Sequence, residues 1–268
     1  MSERVLNNEY GLAEMQGNLL NTLDVLDRVC RENKIHYTIH GGTILGAERN
    51  HHLIPWDDDV DIAMWREEFE KLKKVIQEGN IPDNYYLDET TMWFPRFVMK
   101  NQDDPVYIDI LIWDYISENK IAQRMKITFL RAIQGMMKED VDYSQYDIKG
   151  KVLVGITQAM GKLLSNERKL ILFRSIQTKW WLGSKQFIHR SNDSYRGCTY
   201  ILDSHYMDEY TEIELEGKNY MVNKRYHEFL VMEYGENYMT PPPVKDRHPG
   251  HVKFRKSIER KQKAGAGK

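Results

Sequence analysis

Residues 40 to 64 read HGGTILGAERNHHLIPWDDDVDIAM, and the end of that stretch decides how its surroundings fold. Side chains alternate along a strand, so in DVDIA the acids Asp59 and Asp61 share one face while Val60 and Ile62 enter an apolar core. Neighbouring carboxylates repel each other. A hard divalent cation, Mg2+ or Mn2+, resolves that conflict and prefers oxygen ligands. Ahead of the acids, KIHYTIH reads as a strand, Gly41-Gly42 as its turn and TILGAER as a short helix. A strand, a glycine turn and a helix start present backbone N–H groups to a phosphate, and glycine lets the phosphate approach closely. Gly41, Gly42 and Thr43 are therefore phosphate-side candidates.

A third acid is expected on a neighbouring strand, and YIDIL supplies Asp109 between two isoleucines. An acid in an otherwise apolar strand is costly without a partner, and metal sharing or general-base work would account for it. Read alone, Asp57-Asp58-Asp59 has a helix-capping loop as its alternative, and Asp109 has a strand-end acid capping a loop as its less favoured one. Arg49, Arg96 and Lys100 are candidates to grip phosphate oxygens.

The rest of the chain reads as α+β. Residues 9–33 carry apolar side chains at helical spacing, and REEFEKLKKVIQ is a second long helix. NYYLDE, WFPRFVMKN and VYIDILIWD are three strands, and TEIELEGKNYMV is a hairpin around Glu216-Gly217-Lys218. CTYILD is a further strand, and KRYHEFLVMEYG is the last helix. Three helical stretches with Lys and Arg on their polar faces fill 119–190. The expected division is a catalytic core at 1–118, a basic helical insertion at 119–190, core-completing strands, helix and Pro-rich loop at 191–252, and a basic disordered tail at 253–268.

Charge follows that division. The 268 residues carry 38 Lys and Arg against 40 Asp and Glu. Residues 119–190 hold fourteen Lys and Arg against five acids, and 245–268 hold nine against two. A basic region beside an acidic centre suits a polyanionic substrate or an anionic membrane face, although solvated helix surface gives the same pattern. In KWWLG, Trp180 and Trp181 are the residues expected at an interface if one exists, with ordinary core packing as the alternative. Two cysteines in no metal spacing point to a reducing compartment, and the first residues lack signal-peptide character. A cytoplasmic protein, associated with the inner face of the membrane if at all, is expected.

At Gly42-Thr43-Ile44-Leu45-Gly46-Ala47-Glu48-Arg49 and Leu53-Ile54-Pro55-Trp56-Asp57-Asp58-Asp59-Val60-Asp61 the chain resembles the LicD family of phosphotransferases, which includes the fukutin-type proteins. The similarity extends to YIDILIWD and to YGENYMTPPPVKDRHPGH, so it encloses about residues 10 to 251. It implies a nucleotidyltransferase-like fold of the DNA polymerase β type, a mixed sheet flanked by helices, with Asp59, Asp61 and Asp109 as an acidic triad that binds Mg2+ or Mn2+. It also implies transfer of a phosphorylated alcohol, with CDP-choline as the best donor and CMP released. The acceptor would be a sugar hydroxyl of teichoic acid, lipopolysaccharide or capsule, free or lipid-linked. Three departures from the family pattern, Glu48 for Val, His52 for Gly and Leu111-Ile112-Trp113 for Phe-Pro-Leu after Asp109, put head group and acceptor in doubt but not the triad.

Choline cannot donate a hydrogen bond and is held by aromatic faces, for which Trp56, Trp93 and Tyr107 are candidates beside Phe94 and Trp113. Core packing competes for each of them. Arg247, His248 and His251 follow a triple proline that stiffens a loop able to fold over the nucleotide or acceptor phosphate, with an exposed tail as the equal alternative. The competing class is a nucleotidyltransferase that moves NMP from an NTP to a small molecule or RNA and releases pyrophosphate. An RNA-directed enzyme would be more evenly basic, so no nucleic-acid partner is expected. Oligomeric state is not legible from the sequence.

Overall fold

The computed structural model describes residues 6–100, 105–138, 141, 143, 148–179 and 183–250. The chain divides into two units, one built from Met1–Leu111 with Tyr206–Lys268 and the other from Ile112–His205. It is an α+β protein with a mixed sheet.

In the first unit, helix α1 (Ala13–Glu32) buries Leu19, Leu20, Leu23 and Leu26, which recur at steps of one, three and three. Each fully buried leucine contributes on the order of 1.5–3 kcal/mol. Strand β1 (Thr38–His40) pairs antiparallel with β2 (Asp61–Trp65), placing His40 opposite Asp61. Between them runs helix α2 (Gly41–Asn50), and α3 (Arg66–Gln77) follows β2 directly. Helix α3 opens with Glu67 and Glu68 in its first turn, where negative charge suits the helix dipole, and Gly79 at φ 76° lies just beyond its end. Strands β3 (Tyr85–Asp88), β4 (Arg96–Met99) and β5 (Val106–Ile116) complete the order β1-β2-β5-β4-β3. Arg96 pairs in register with Asp109 across β4 and β5.

Strand β5 is buried along most of its length on both faces, as suits a central strand, and its residues beyond Leu111 belong to the second unit. There, helices α4 (Lys120–Met137), α5 (Ile148–Gly161) and α6 (Asn166–Lys179) are followed by β6 (Phe187–Arg190) and β7 (Ile201–Asp203). Strand β6 pairs antiparallel with the end of β5 and with β7. Helix α4 packs against both α5 and α6. Its Asn119 cap accepts hydrogen bonds from the N–H groups of Ile121 and Ala122 at 2.9 and 3.2 Å. The hairpin β8 (Tyr210–Leu215) and β9 (Lys218–Asn223) and helix α7 (Tyr226–Tyr234) return to the first unit.

Three differences from the sequence expectation have local causes. Strand β6 was not anticipated, because FIHR is short and carries His189 and Arg190, whose polarity its burial overrides. Strand β1 covers only the end of KIHYTIH, since Lys34 takes a positive φ and Ile35 donates back to Cys30. The Gly-Gly pair is not a separate turn but the first two residues of α2. Trp180, Trp181, His251 and the tail from 253 lie outside the described residues. Cys30 and Cys198 are buried free thiols. Among the described residues no helix is long and apolar enough to cross a membrane.

Candidate active site

The site is built where α2 begins. Gly41 adopts a φ of 56°, a conformation open to glycine, and a Cβ there would lie 2.7 Å from Asp61 Oδ2. A Cβ on Gly42 would lie 2.1 Å from Asp57 Oδ2. The two glycines are thus required by carboxylates pressed against the helix start, a reason the sequence did not disclose. Acids at that end are favoured by the helix dipole. Thr43 belongs to the same corner, its Oγ1 accepting from the Asp61 backbone N–H at 3.1 Å.

The Pro-Trp-Asp loop is fixed from outside by Gln16, whose Nε2 donates to the carbonyls of Ile54 and Asp57 at 3.0 and 2.9 Å. Asp58 is wholly buried, and its Oδ1 accepts from the Gly250 N–H at 3.2 Å. Asp59 precedes strand β2 instead of lying within it. Burial, repulsion by Asp59 and a side-chain hydrogen bond between the two push the Asp57 carboxyl well above the usual carboxylate range. Asp57 is the residue the sequence reading undervalued. Its spacing to Gly42 carried no recognisable signal.

Asp109 lies on β5 beside β2, and its N–H donates to the Val60 carbonyl at 3.2 Å. Arg96, almost wholly buried, donates from Nε to Asp109 Oδ1 at 2.8 Å. The Arg96 guanidinium also stacks on Tyr107 at 4.1 Å and Phe94 at 4.9 Å. Phe94 and Tyr107 therefore already hold a cation of the protein's own. Trp93 meets Phe94 edge-on at 5.5 Å, and its indole N–H is buried with no acceptor among the described residues. Lys100 is not gathered with these groups. It stands past the other end of β4, four residues or about 13 Å of strand from Arg96, and donates to the Asp83 carbonyl at 3.0 Å.

The Pro-rich segment folds back onto the acidic loop. Arg49 donates from Nε to the Tyr238 carbonyl at 2.7 Å, with Nη2 on the same oxygen, and reaches the Thr240 carbonyl at 3.3 Å. Burial, with Arg247 nearby, lowers its guanidinium below the usual arginine value. Arg247 donates to the Pro242 carbonyl at 2.8 Å and lies over the Trp56 ring at 5.1 Å. The other neighbour of Trp56 is Tyr10, edge-on at 5.7 Å. His248 is exposed. Two of the departures from the family pattern are structural anchors: Glu48 accepts from the Tyr226 hydroxyl at 2.7 Å, and His52 meets Glu216 at 3.1 Å.

Among the described residues, no three or more His, Cys, Asp or Glu side chains stand together as a ready metal cage. The donors present are nevertheless hard oxygens, and the crowding of Asp57 against Asp59 is the repulsion a divalent cation relieves. In donor chemistry the acids fit Mg2+ or Mn2+.

Residues 34–149 match the nucleotidyltransferase domain described as LicD/FKTN/FKRP. Lipopolysaccharide cholinephosphotransferase LicD of Haemophilus influenzae is 27% identical over 266 residues, covering 90% of this chain and 96% of that protein. Ribitol 5-phosphate transferase FKRP of Mus musculus is 23% identical over 141 residues, 51% of this chain and 27% of that protein. An uncharacterised Rickettsia prowazekii protein is 40% identical over 95 residues, 33% of this chain and 36% of that protein. The matched stretch holds the Gly-Gly helix start, the Asp57–Asp61 loop and the Arg96–Asp109 pair, and over residues 34–149 the chain is similar to the LicD/FKTN/FKRP nucleotidyltransferase domain.

Proposed function

We propose that the chain transfers a phosphorylated alcohol, phosphocholine from CDP-choline being the best candidate, to a sugar hydroxyl of a cell-surface glycan, with release of CMP. The observation that carries this reading is the cluster of acids set against the start of α2, inside a domain matched to transferases that are named for cholinephosphate and ribitol 5-phosphate. Lipopolysaccharide, teichoic acid and capsule are the acceptors in view, and a cytoplasmic location beside the membrane is where their precursors would be met.

Asp59 and Asp61, with Asp109, are the residues that would hold Mg2+ or Mn2+, which when bound neutralises charge on the donor diphosphate. The backbone N–H groups opening α2 at Gly41, Gly42 and Thr43 orient a phosphate oxygen. Asp109, fixed by Arg96, accepts the proton of the attacking hydroxyl. Arg247 brings positive charge over Trp56 at the rim of the acidic loop. Arg49 acts one step back, since its guanidinium is engaged with the Tyr238 and Thr240 carbonyls and ties down the segment that carries Arg247. With Phe94 and Tyr107 stacked on Arg96 and Trp56 under Arg247, Trp93 is the face we assign to the head group or base.

Phosphorus NMR of the full chain with Mg2+, acceptor glycan and either CDP-choline, CDP-ribitol or an NTP tests the reading. Appearance of CMP with a new phosphodiester resonance supports it and names the donor. Pyrophosphate released from an NTP, with the CDP-alcohols untouched, would replace it with nucleotidyl transfer.

A further inference from the structure

Helix α5 turns its apolar side chains outward. Ile148, Val152, Ile156 and Met160 recur every fourth residue as one exposed stripe, and Leu163 just past the helix continues it. Ile148 is 81% exposed and Leu163 82%. Helix α4, packed against α5, does the same with Ile121, Met125 and Phe129. Of the fifteen large hydrophobic side chains exposed among the described residues, twelve lie in this one unit, between Ile121 and Leu172. A soluble surface scatters such residues singly, and a concentration of this kind marks a surface that something covers.

The charge pattern indicates what covers it. Helices α4, α5 and α6 hold ten Lys and Arg and one acid, Glu167. Arg124, Lys151, Lys162 and Arg168 are exposed beside the apolar positions. A second copy docked face to face would set like charges against each other. An acidic surface with an apolar interior suits both features, and that is an anionic bilayer. At fourteen residues α5 is about 21 Å long, too short for a hydrocarbon core of about 30 Å, so its fit is to the interface plane.

We propose that this helical unit is a membrane-docking surface that inserts the outer faces of α4 and α5 among anionic lipids and holds them by the flanking cations. The proposal stands apart from the transferase reading, since it uses none of the site residues.

The test is co-sedimentation of the full chain with vesicles of phosphatidylcholine alone or with added phosphatidylglycerol. Binding to the anionic vesicles, weak binding to the zwitterionic ones and partial release by high salt are expected. Ile156→Glu should lower partitioning about tenfold or more while leaving the circular dichroism spectrum unchanged. An environment-sensitive dye on Val152→Cys, which leaves the rest of the face intact, should shift to the blue when anionic vesicles are added. A chain that stays in the supernatant with anionic vesicles overturns the proposal. So does a dimer in light scattering that Ile156→Glu dissolves, because then a second copy covers the face.

Discussion

Gly42→Ala isolates the packing of carboxylates against the start of α2. The added Cβ would lie 2.1 Å from Asp57 Oδ2 and 3.2 Å from its Cγ, whereas ordinary contact begins near 3.4 Å. The Asp57 carboxyl must therefore retreat by more than an ångström. It has little room, because Gln16 pins its carbonyl and Asp59 already crowds its side chain. Gly42 has no positive φ to complicate the change, unlike Gly41, where alanine would add backbone strain of about 1–2 kcal/mol. Overpacking of this kind costs on the order of 1–3 kcal/mol. Asp57 is hydrogen-bonded to Asp59, one of the acids assigned to the metal, and a displacement of that size passed on to it lowers turnover about a hundredfold. The assay pairs a thermal melt with initial rates of CMP release. A variant that keeps both full rate and melting temperature would refute the claim that these glycines exist to admit the acids.

Other substitutions read separate parts of the site. Asp61→Asn should abolish turnover and leave the melting temperature nearly unchanged, and retained activity would sink its assignment as a ligand. Asp59→Asn should likewise be inactive and melt no lower than the parent, because it relieves the crowding of Asp57. Arg96→Met removes the ion-pair partner of Asp109 from a buried position and should cost about 3–5 kcal/mol in urea unfolding, while a loss under 1 kcal/mol would show the pair to be incidental. His189 is buried, and burial pushes its imidazole down to about 3. The unfolded chain takes up a proton near 6.5 that the folded chain refuses, so stability is full above that pH and falls below it. Between pH 6.5 and 5 the parent should lose about 2 kcal/mol more than His189→Gln, and parallel pH profiles would contradict this.

Much of this was legible because strong local patterns coincided with burial. Helix α3 begins and ends where REEFEKLKKVIQ does, and β5 declares itself by a largely apolar run interrupted only by Asp109 and Asp114. The turn of the β8–β9 hairpin falls at Glu216 and Gly217, both at positive φ. What stayed hidden depends on tertiary neighbours. That Arg96 answers Asp109 follows from the register of β4 against β5, which no local spacing encodes. Arg49 reads as a phosphate fork until the chain returns nearly two hundred residues later and offers the carbonyls of Tyr238 and Thr240. The outward apolar stripe of α5 was concealed for a different reason. That helix is apolar nearly all round, so periodicity alone cannot tell the face it buries from the face it exposes.

The measurement that bears most directly on the central claim is calorimetric titration of CDP-choline into the full chain with Mg2+, with Mg2+ removed by chelation, and into Asp61→Asn. Saturable binding that needs both the cation and Asp61 is the predicted result. Binding of equal strength under all three conditions, or none with Mg2+ present, would contradict a metal-assisted donor site at the start of α2.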